Sequence, residues 1–417
     1  MSSSDLSFHD TDHDDLTTGR APWGYRQVPP DRQALTESIK TDVAIIGGGI
    51  TGSLMAEHLS RLGRRVVIID REQPGFGSTR ASTAMLQWET DSSLTELTNL
   101  YGFETAANVY RRSHTAVAGL MELVAAHRIS CAFQPRPTLY IAAGDVGEKE
   151  LREELALRHR AELPGELLSY TSLRREFGFD REAAILSPGS AEADPLMLSW
   201  ALLQIARGFG AQIIDADAVK FHDEGGRVLV ETSGPHVIDA AHVVLATGYV
   251  MPHFVMPACH RISSSFAIST LPQQPDHLWP QRALVWEASE PYLYMRTTAD
   301  NRIVIGGEDE EIADPQVRDA MLADKVLRLR EKLSQIWPEA NAEISHAWCG
   351  AFGETSDGLP LIGPVSGASN IYAAYGYGGN GITFSYLASR MIAAMISGEK
   401  EAWFESFALD RNVSAQS

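Results

Sequence analysis

Residues 41–70 read TDVAIIGGGITGSLMAEHLSRLGRRVVIID: an apolar run, a glycine turn, a helical stretch and a second apolar run closing on a carboxylate. Val43–Ile46 has the continuous apolar character of a buried parallel strand, and Gly47, Gly49 and Gly52 spell GxGxxG where it ends. Leu54, Met55, Leu59 and Leu62 recur at helical spacing, and Gly63 stands where a C′ glycine would end the helix. Gly47 permits the tight turn, Gly49 lets a pyrophosphate approach the backbone, and Gly52 lets helix and strand pack closely. Ile50 and Thr51 open the helix, whose free N–H groups and positive dipole end would face phosphates. Asp70, eighteen positions past Gly52 and followed by Arg71, is placed to accept a hydrogen bond from a ribose hydroxyl. Strand, turn, helix, strand and acid in register predict a dinucleotide site.

The rest of the chain sets bounds on that reading. Its 417 residues can bury a large core, and 44% hydrophobic with 21% charged residues is ordinary globular composition. A formal net charge of −19 argues against nucleic acid or an anionic membrane as partner. No apolar run reaches membrane-spanning length, so no transmembrane segment is expected. The first residues lack a positive region followed by an apolar one, which points to the cytosol. Cys131, Cys259 and Cys349 are too scattered for a disulfide framework, and no CxxC is present. The run His9, Asp10, Asp12, His13, Asp14, Asp15 has metal-ligand residue types, but a solvated acidic tail is the simpler account, and no metal is expected.

Farther along, Leu94–Arg128 reads mainly helical, Phe133–Ala142 as a strand, and Asp145–Leu163 as a charged amphipathic helix. Pro195–Phe209 is again helical, Arg227–Glu231 and Val237–Ala240 suit a hairpin, and His242–Thr247 is a buried strand. Residues 283–307 alternate like antiparallel strands, Asp314–Trp337 is helical, and Asn370–Tyr375 leads through glycines into a helix at 382–396. Gly376, Gly378 and Gly381 spell GxGxxG a second time, but no strand ending in an acid follows, so a separate NAD(P)H domain is not expected. Two distant glycine turns, each opening a helix, suit one long cofactor, with the first at its pyrophosphate and the second at its electron-accepting ring. That describes FAD.

On five segments in order, the chain resembles the FAD-dependent oxidoreductases that include D-amino-acid oxidase, glycine oxidase, sarcosine oxidase and γ-glutamylputrescine oxidase. The segments are 47–70; Ser78-Thr-Arg-Ala-Ser-Thr-Ala-Met-Leu86; 243–248; 292–307; and 348–381. The resemblance covers about Trp23 to Gly398. It implies that Thr79, Arg80, Ala81 and Ser82 line the pyrophosphate and ribityl chain, and that Ala84, Met85 and Leu86 pass beside the isoalloxazine. It further implies that Val219 meets the adenine and Gly248 the adenosine, while Gly378, Gly379, Asn380, Gly381, Ile382 and Thr383 face the flavin pyrimidine. The implied reaction moves a hydride from a carbon bearing an amine to flavin N5, giving an imine that hydrolyses. Oxygen or another carrier would then take the electrons.

The resemblance breaks at one instructive place. Amino-acid oxidases of this family typically carry Trp-x-Gly-x-Arg before the C-terminal flavin loop, whereas here Trp348-Cys349-Gly350-Ala351-Phe352 places Phe352 where the arginine would grip a carboxylate. Weight moves from an α-amino acid towards an amine. Tyr292, Tyr294 and Arg296 alternate onto one face, so Tyr294 and Arg296 are candidates for the substrate wall, with core packing or a surface ion pair as competing accounts. His346 is a further candidate, against a structural histidine. Cys349 raises covalent flavin attachment, but it stands one residue off the family position, so non-covalent FAD is expected. A flavin monooxygenase, a disulfide reductase, or a non-catalytic subunit of an amine dehydrogenase are the alternative readings.

The expected fold is α/β. A discontinuous Rossmann-like FAD-binding domain would take residues 41–95, 181–255 and 345–398, and an α+β substrate domain on a mixed or antiparallel sheet would take 96–180 and 256–344. Residues 1–20 read as a disordered acidic leader, 21–40 as an ordered arm and 399–417 as a polar tail.

Overall fold

In the computed structural model, which describes residues 6–7, 16–24, 28–223, 225–255, 257–289 and 291–411, the opening motif forms as its sequence predicts. Ile39–Ile46 is a strand, Ile50–Arg61 a helix, and Val66–Asp70 a strand parallel to the first, with Val43 opposite Val66. Leu54, Met55 and Leu59 are buried, whereas Leu62 is exposed, because it falls on the C-cap after the apolar stripe has run out. Gly63 adopts φ +81°, and the Arg64 N–H closes the helix end on Leu59 O.

This unit sits at the centre of the first sheet. Val237–Leu245 runs parallel to Ile39–Ile46 on one side, Gln212–Asp215 runs parallel to Val66–Asp70 on the other, and Ala368–Tyr375 joins Val237–Leu245 in parallel at Val243–Leu245. Ala218–Asp223 and Val228–Thr232 extend the sheet as antiparallel strands, and the expected 228–240 hairpin is present. The second glycine turn therefore belongs to the same sheet as the first. Its helix, Gly381–Ile396, packs beside Ile50–Arg61.

The second sheet is mixed but mainly antiparallel. Its order is Thr17–Gly19, Ile344–Thr355, His260–Thr270, Ile303–Glu310, Tyr294–Thr297, Leu284–Ala288, Gln134–Ala142, Ala183–Glu192 and Met85–Leu86. One neighbouring pair, Leu284–Ala288 with Gln134–Ala142, is parallel. The Pro315–Ile336 helix packs on this sheet through Leu329, Leu333 and Ile336. The α/β class with two sheets is as expected. Among the described residues, no helix is long and apolar enough to cross a membrane.

Several boundaries differ from the sequence reading. Leu6–Ser7 pairs with Lys220–Phe221, and Thr17–Gly19 pairs with Trp348–Gly350, so two parts of the expected disordered leader are β-structure. The His9–Asp15 run and Tyr25 lie outside the described residues. Met85–Leu86, Ala183–Glu192 and Ile344–Thr355 belong to the second sheet rather than to the nucleotide-binding unit, because antiparallel partners on that sheet satisfy their backbones. Conversely, the Phe103–His127 helix buries Ala106, Ala107, Tyr110 and Val117 in the core shared with Met55, Leu59 and Phe384, and so joins the nucleotide side. Gly102, at φ +77°, separates that helix from Leu94–Tyr101, so the stretch that reads mainly helical is two helices.

Candidate active site

Two adjoining cavities follow the carboxyl ends of the central strands. They enclose about 1310 and 1230 Å³, open solvent at their mouths included, and share Ile50, Thr51, Ser78, Thr79 and Gly248. Together they form one long cleft that begins at the first glycine turn. An open α/β sheet places its ligand crevice at this end of its strands.

The first cavity starts at Gly47, whose φ of +105° and backbone beside Ala246 O leave no space for a side chain. A Cβ on Gly52 would lie 1.9 Å from Gly47 O, so that glycine sets helix-to-turn distance and does not itself line the cavity. Gly49 and Asp70 line the space with Arg71, Val219 and Gly248. Asp70 is held rigidly: its Oδ2 accepts from Gly48 N at 2.7 Å and its Oδ1 from Glu72 N at 2.9 Å. Thr79 Oγ1 accepts from Ile50 N at 3.0 Å, which fastens the Ser78–Ala81 turn of helix over the start of the long helix. Arg80 lines the same space and donates to Thr17 Oγ1 from Nε at 2.9 Å and Nη2 at 2.6 Å. The concave glycine turn, the anchored carboxylate and the cleft length fit the adenosine and pyrophosphate of FAD.

The second cavity carries Ala81, Ser82 and Met85 on one side and Gly378, Gly379, Asn380, Gly381 and Ile382 on another. Ala84 and Leu86 are buried behind Met85, packed with Ile50, Leu54 and Ile382, and do not line it. Thr383 also turns away, its hydroxyl donating to Gln87 O at 2.8 Å. The two glycine-turn helices are tied by a 2.7 Å contact between the Thr51 and Ser385 hydroxyls, so both N-termini open on the same space. This convergence is what one cofactor spanning both turns requires.

Tyr294 and Phe352 also line this cavity, with Tyr249, Trp286, Tyr292, Trp348 and Tyr377. Tyr294 Oη sits 3.1 Å from Ser265 Oγ, and its ring is 5.9 Å from that of Tyr292. Burial first, then the charges of Asp309 and Asp91, hold the Tyr294 hydroxyl protonated well above the ordinary phenol value. The wall is therefore aromatic and carries neutral hydroxyls.

Two candidates do not reach this wall. Arg296 is buried, donating from Nη1 to Ala84 O and from Nη2 to Ala193 O, both at 3.0 Å, and its guanidinium lies 4.8 Å from the centre of the Trp23 ring. It lines neither cavity, because these contacts draw it behind Met85. His346 also lies outside both cavities. It pairs with Ser269, its Nδ1 is 2.8 Å from Ser345 Oγ, and burial, followed by Arg302 and Arg20, lowers its pKa. Cys349 points into the second core with Sγ 3.8 Å from Asp319 Oδ1, and burial pushes its thiol up to about 11.

The expected arm acts as a clasp. Trp23 is 6% exposed, donates from Nε1 to Ser82 O at 2.9 Å, and carries Arg296 on its face, while Gly24 N donates to Asp194. Trp23→Ala is expected to weaken FAD retention by roughly tenfold, since it removes a cation–π contact and a hydrogen bond at the cofactor-facing loop. Fluorescence of FAD released on dilution checks this; unchanged retention would refute the clasp.

Glu89, Asp91, Tyr249, Trp286, Asp309 and Tyr377 line the second cavity without having been singled out. Asp91 had a signal available, because it follows the Ala84–Leu86 segment closely. Its Oδ2 accepts from Gly379 N at 2.7 Å and fills the space a Gly378 side chain would need. Trp286 and Asp309 come from strands with no motif. Among the described residues, no group of three His, Cys, Asp or Glu could hold a metal ion.

The family described as "DAO: FAD dependent oxidoreductase" matches residues 42–395. The chain is 28% identical over 383 residues to "Gamma-glutamylputrescine oxidoreductase" of Escherichia coli (strain K12), covering 90% of this chain and 87% of that protein. Among solved structures, glycine oxidase from Geobacillus kaustophilus is similar with a TM-score of 0.76 at 20% identity, covering 90% of this chain and all of that one. L-proline dehydrogenase from P. horikoshii also gives 0.76, at 19% identity, over 90% of this chain and 98% of that one.

Proposed function

Because the chain belongs to this family of FAD dependent oxidoreductases, acting on the C–N bond of amines or amino acids, we propose that its own substrate is an amine without a carboxylate on the reacting carbon. One observation carries the choice: among the described residues, no arginine, lysine or histidine lines the second cavity, and Phe352 occupies the wall where a guanidinium would grip such a carboxylate. Burying a carboxylate there without a cation is costly.

In this reading Asp70 accepts from the adenosine ribose, Arg71 and Val219 flank the adenine end, and Gly47, Gly49, Ile50, Thr51, Thr79 and Arg80 surround the phosphates. Ala81, Ser82 and Met85, with the Gly378–Ile382 turn, hold the ring. Gly52, Ala84, Leu86 and Thr383 act from behind by packing, and Gly248 closes the edge. FAD, when bound, accepts the hydride. The protein's part is to orient the amine's C–H, exclude water with aromatic walls and present the neutral Tyr294 hydroxyl. The amine must reach the ring unprotonated, so that its lone pair forms C=N as the hydride leaves with the bond electrons. Water then adds to that carbon, releasing carbonyl and amine. The buried, protonated Cys349 supports non-covalent FAD. Oxygen or another carrier completes the cycle.

Anaerobic flavin bleaching by a panel of alkylamines, secondary amines, gamma-glutamylputrescine, glycine and proline tests the proposal. Bleaching by an amine but weakly by glycine is expected. Reduction by NADPH alone would favour a monooxygenase, and no reduction at all a non-catalytic subunit. Phe352→Arg is expected to raise reduction by glycine at least about tenfold, through one bidentate charge-assisted contact.

A further inference from the structure

Resting on the amine reading above, we infer that Gln87 receives the reacting amine: its carboxamide oxygen accepts an N–H of the free base and leaves the nitrogen lone pair available to form C=N. Gln87 lines the second cavity, and the alternation of the chain puts it there. Met85 lines the cavity, whereas Leu86 and Trp88, the two neighbours of Gln87, are fully buried. Gln87 follows Met85 by two residues, shares its face and keeps partial exposure between those buried neighbours.

The backbone of Gln87 is fixed while its side chain is not engaged. Its carbonyl oxygen accepts from Thr383 Oγ1 at 2.8 Å and from Asn380 Nδ2 at 3.3 Å, both at the second glycine turn. Its carboxamide hydrogen-bonds no described residue. Polar neighbours in the same wall are already committed. Asn380, the other carboxamide there, gives its Nδ2 to Gln87 O and to Glu89 O. The Ser265 and Tyr294 hydroxyls meet at 3.1 Å, and those of Thr51 and Ser385 at 2.7 Å. Gln87 therefore offers a neutral acceptor that no protein group has taken.

Neutrality decides the role. Glu89, Asp91 and Asp309 also line the cavity, and a carboxylate against the reacting nitrogen would favour the ammonium, which has no lone pair to give. A carboxamide oxygen accepts an N–H while carrying no charge of its own, so it can orient the amine without holding it protonated. The other titratable groups around this space are Tyr249, Tyr292, Tyr294 and Tyr377, and no lysine, arginine or histidine lines it among the described residues. In the reaction one C–H bond gives its hydride and electron pair to bound FAD, and the nitrogen lone pair becomes the second C–N bond. The N–H hydrogens stay on nitrogen, so Gln87 neither gains nor loses a proton.

The test is anaerobic stopped-flow reduction of the FAD-loaded protein by butylamine, N-methylbutylamine and gamma-glutamylputrescine, followed from about pH 6 to about pH 10. Gln87→Leu should lower the limiting reduction rate roughly tenfold or more, the size of one lost hydrogen bond to the reacting group, with FAD content and the ligand-free flavin spectrum unchanged. Gln87→Glu should displace the rise of that rate with pH upward by about one unit or more, because a carboxylate beside the amine stabilises its ammonium. An unchanged limiting rate in Gln87→Leu would overturn the contact and leave amine oxidation standing, as would an unchanged pH profile in Gln87→Glu. A shifted flavin spectrum in ligand-free Gln87→Leu would assign the carboxamide to the cofactor and overturn the contact equally. Reduction of the wild type by α-amino acids alone would overturn both readings.

Discussion

Gly52→Ala is expected to yield protein without its yellow chromophore. The Cβ would sit 1.9 Å from Gly47 O, a backbone atom that cannot turn aside, so the Ile50–Arg61 helix must retreat from the turn by about 1 Å. Overpacking of this kind costs on the order of 1–3 kcal/mol of stability. Its effect on FAD is larger, because the same shift withdraws the helix N-terminus and the Ile50 N–H to Thr79 bond from the phosphate-facing side of the cleft. A drop in FAD affinity of about a hundredfold or more is expected, read by absorbance near the flavin band per mole of protein and by FAD titration of the apoprotein. Gly63→Ala is the control. Gly63 has φ +81° but open space around its Cβ position, so its substitution should cost about 1 kcal/mol in stability and leave FAD bound. Full FAD occupancy in Gly52→Ala would show that the helix need not be this close.

The contrast between these glycines shows what was readable in advance. GxGxxG with the strand, helix and Asp70 is a local pattern, and local geometry dictates each of its residues, so the nucleotide end of the cleft followed from sequence. The ring end was half readable: Ala81, Ser82, Met85 and the Gly378–Ile382 turn line the cavity, while Ala84, Leu86 and Thr383 stand behind it. Alternation along an extended segment separates such neighbours, and a two-residue strand gives too short a pattern to phase. The substrate wall was least readable. Arg296 and Tyr294 share a strand face, yet their side chains end in different places, because an arginine's reach is set by the acceptors it finds, here two carbonyls far away in sequence. Asp91 and Asp309 join one cavity only through pairing of segments more than two hundred residues apart.

The clasp and the wall are coupled through the buried arginine. Arg296 touches Ala84, whose φ of +51° is a left-handed conformation that a non-glycine residue adopts only when its surroundings fix it. Ala84 in turn positions Met85, which lines the second cavity. Trp23 stacks on the guanidinium from outside and bonds Ser82 O, so the N-terminal arm, the Ser82–Met85 loop and the Tyr294–Thr297 strand form one unit.

Arg296→Met is therefore expected to act as a stability mutation rather than a substrate mutation. It would strip donors from Ala84 O and Ala193 O in a buried setting and remove the cation from Trp23, while Glu192 keeps Arg136 at 2.9 Å. Breaking one member of such a buried polar network costs about 3–5 kcal/mol. The thermal midpoint should fall by several degrees in both apo and FAD-loaded protein, and FAD should dissociate faster as Ala84 relaxes. Arg296→Lys should recover little, because one ammonium cannot bond two separated carbonyls with the planar fork that Arg296 uses. A residue gripping a substrate carboxylate would behave in the opposite way: an unchanged midpoint, an unchanged FAD spectrum, and a KM raised for carboxylate-bearing substrates alone. Since Arg296 reaches no cavity surface, the ratio of amine to amino-acid turnover should stay within about twofold in whatever Arg296→Met protein folds, a shift under 0.5 kcal/mol.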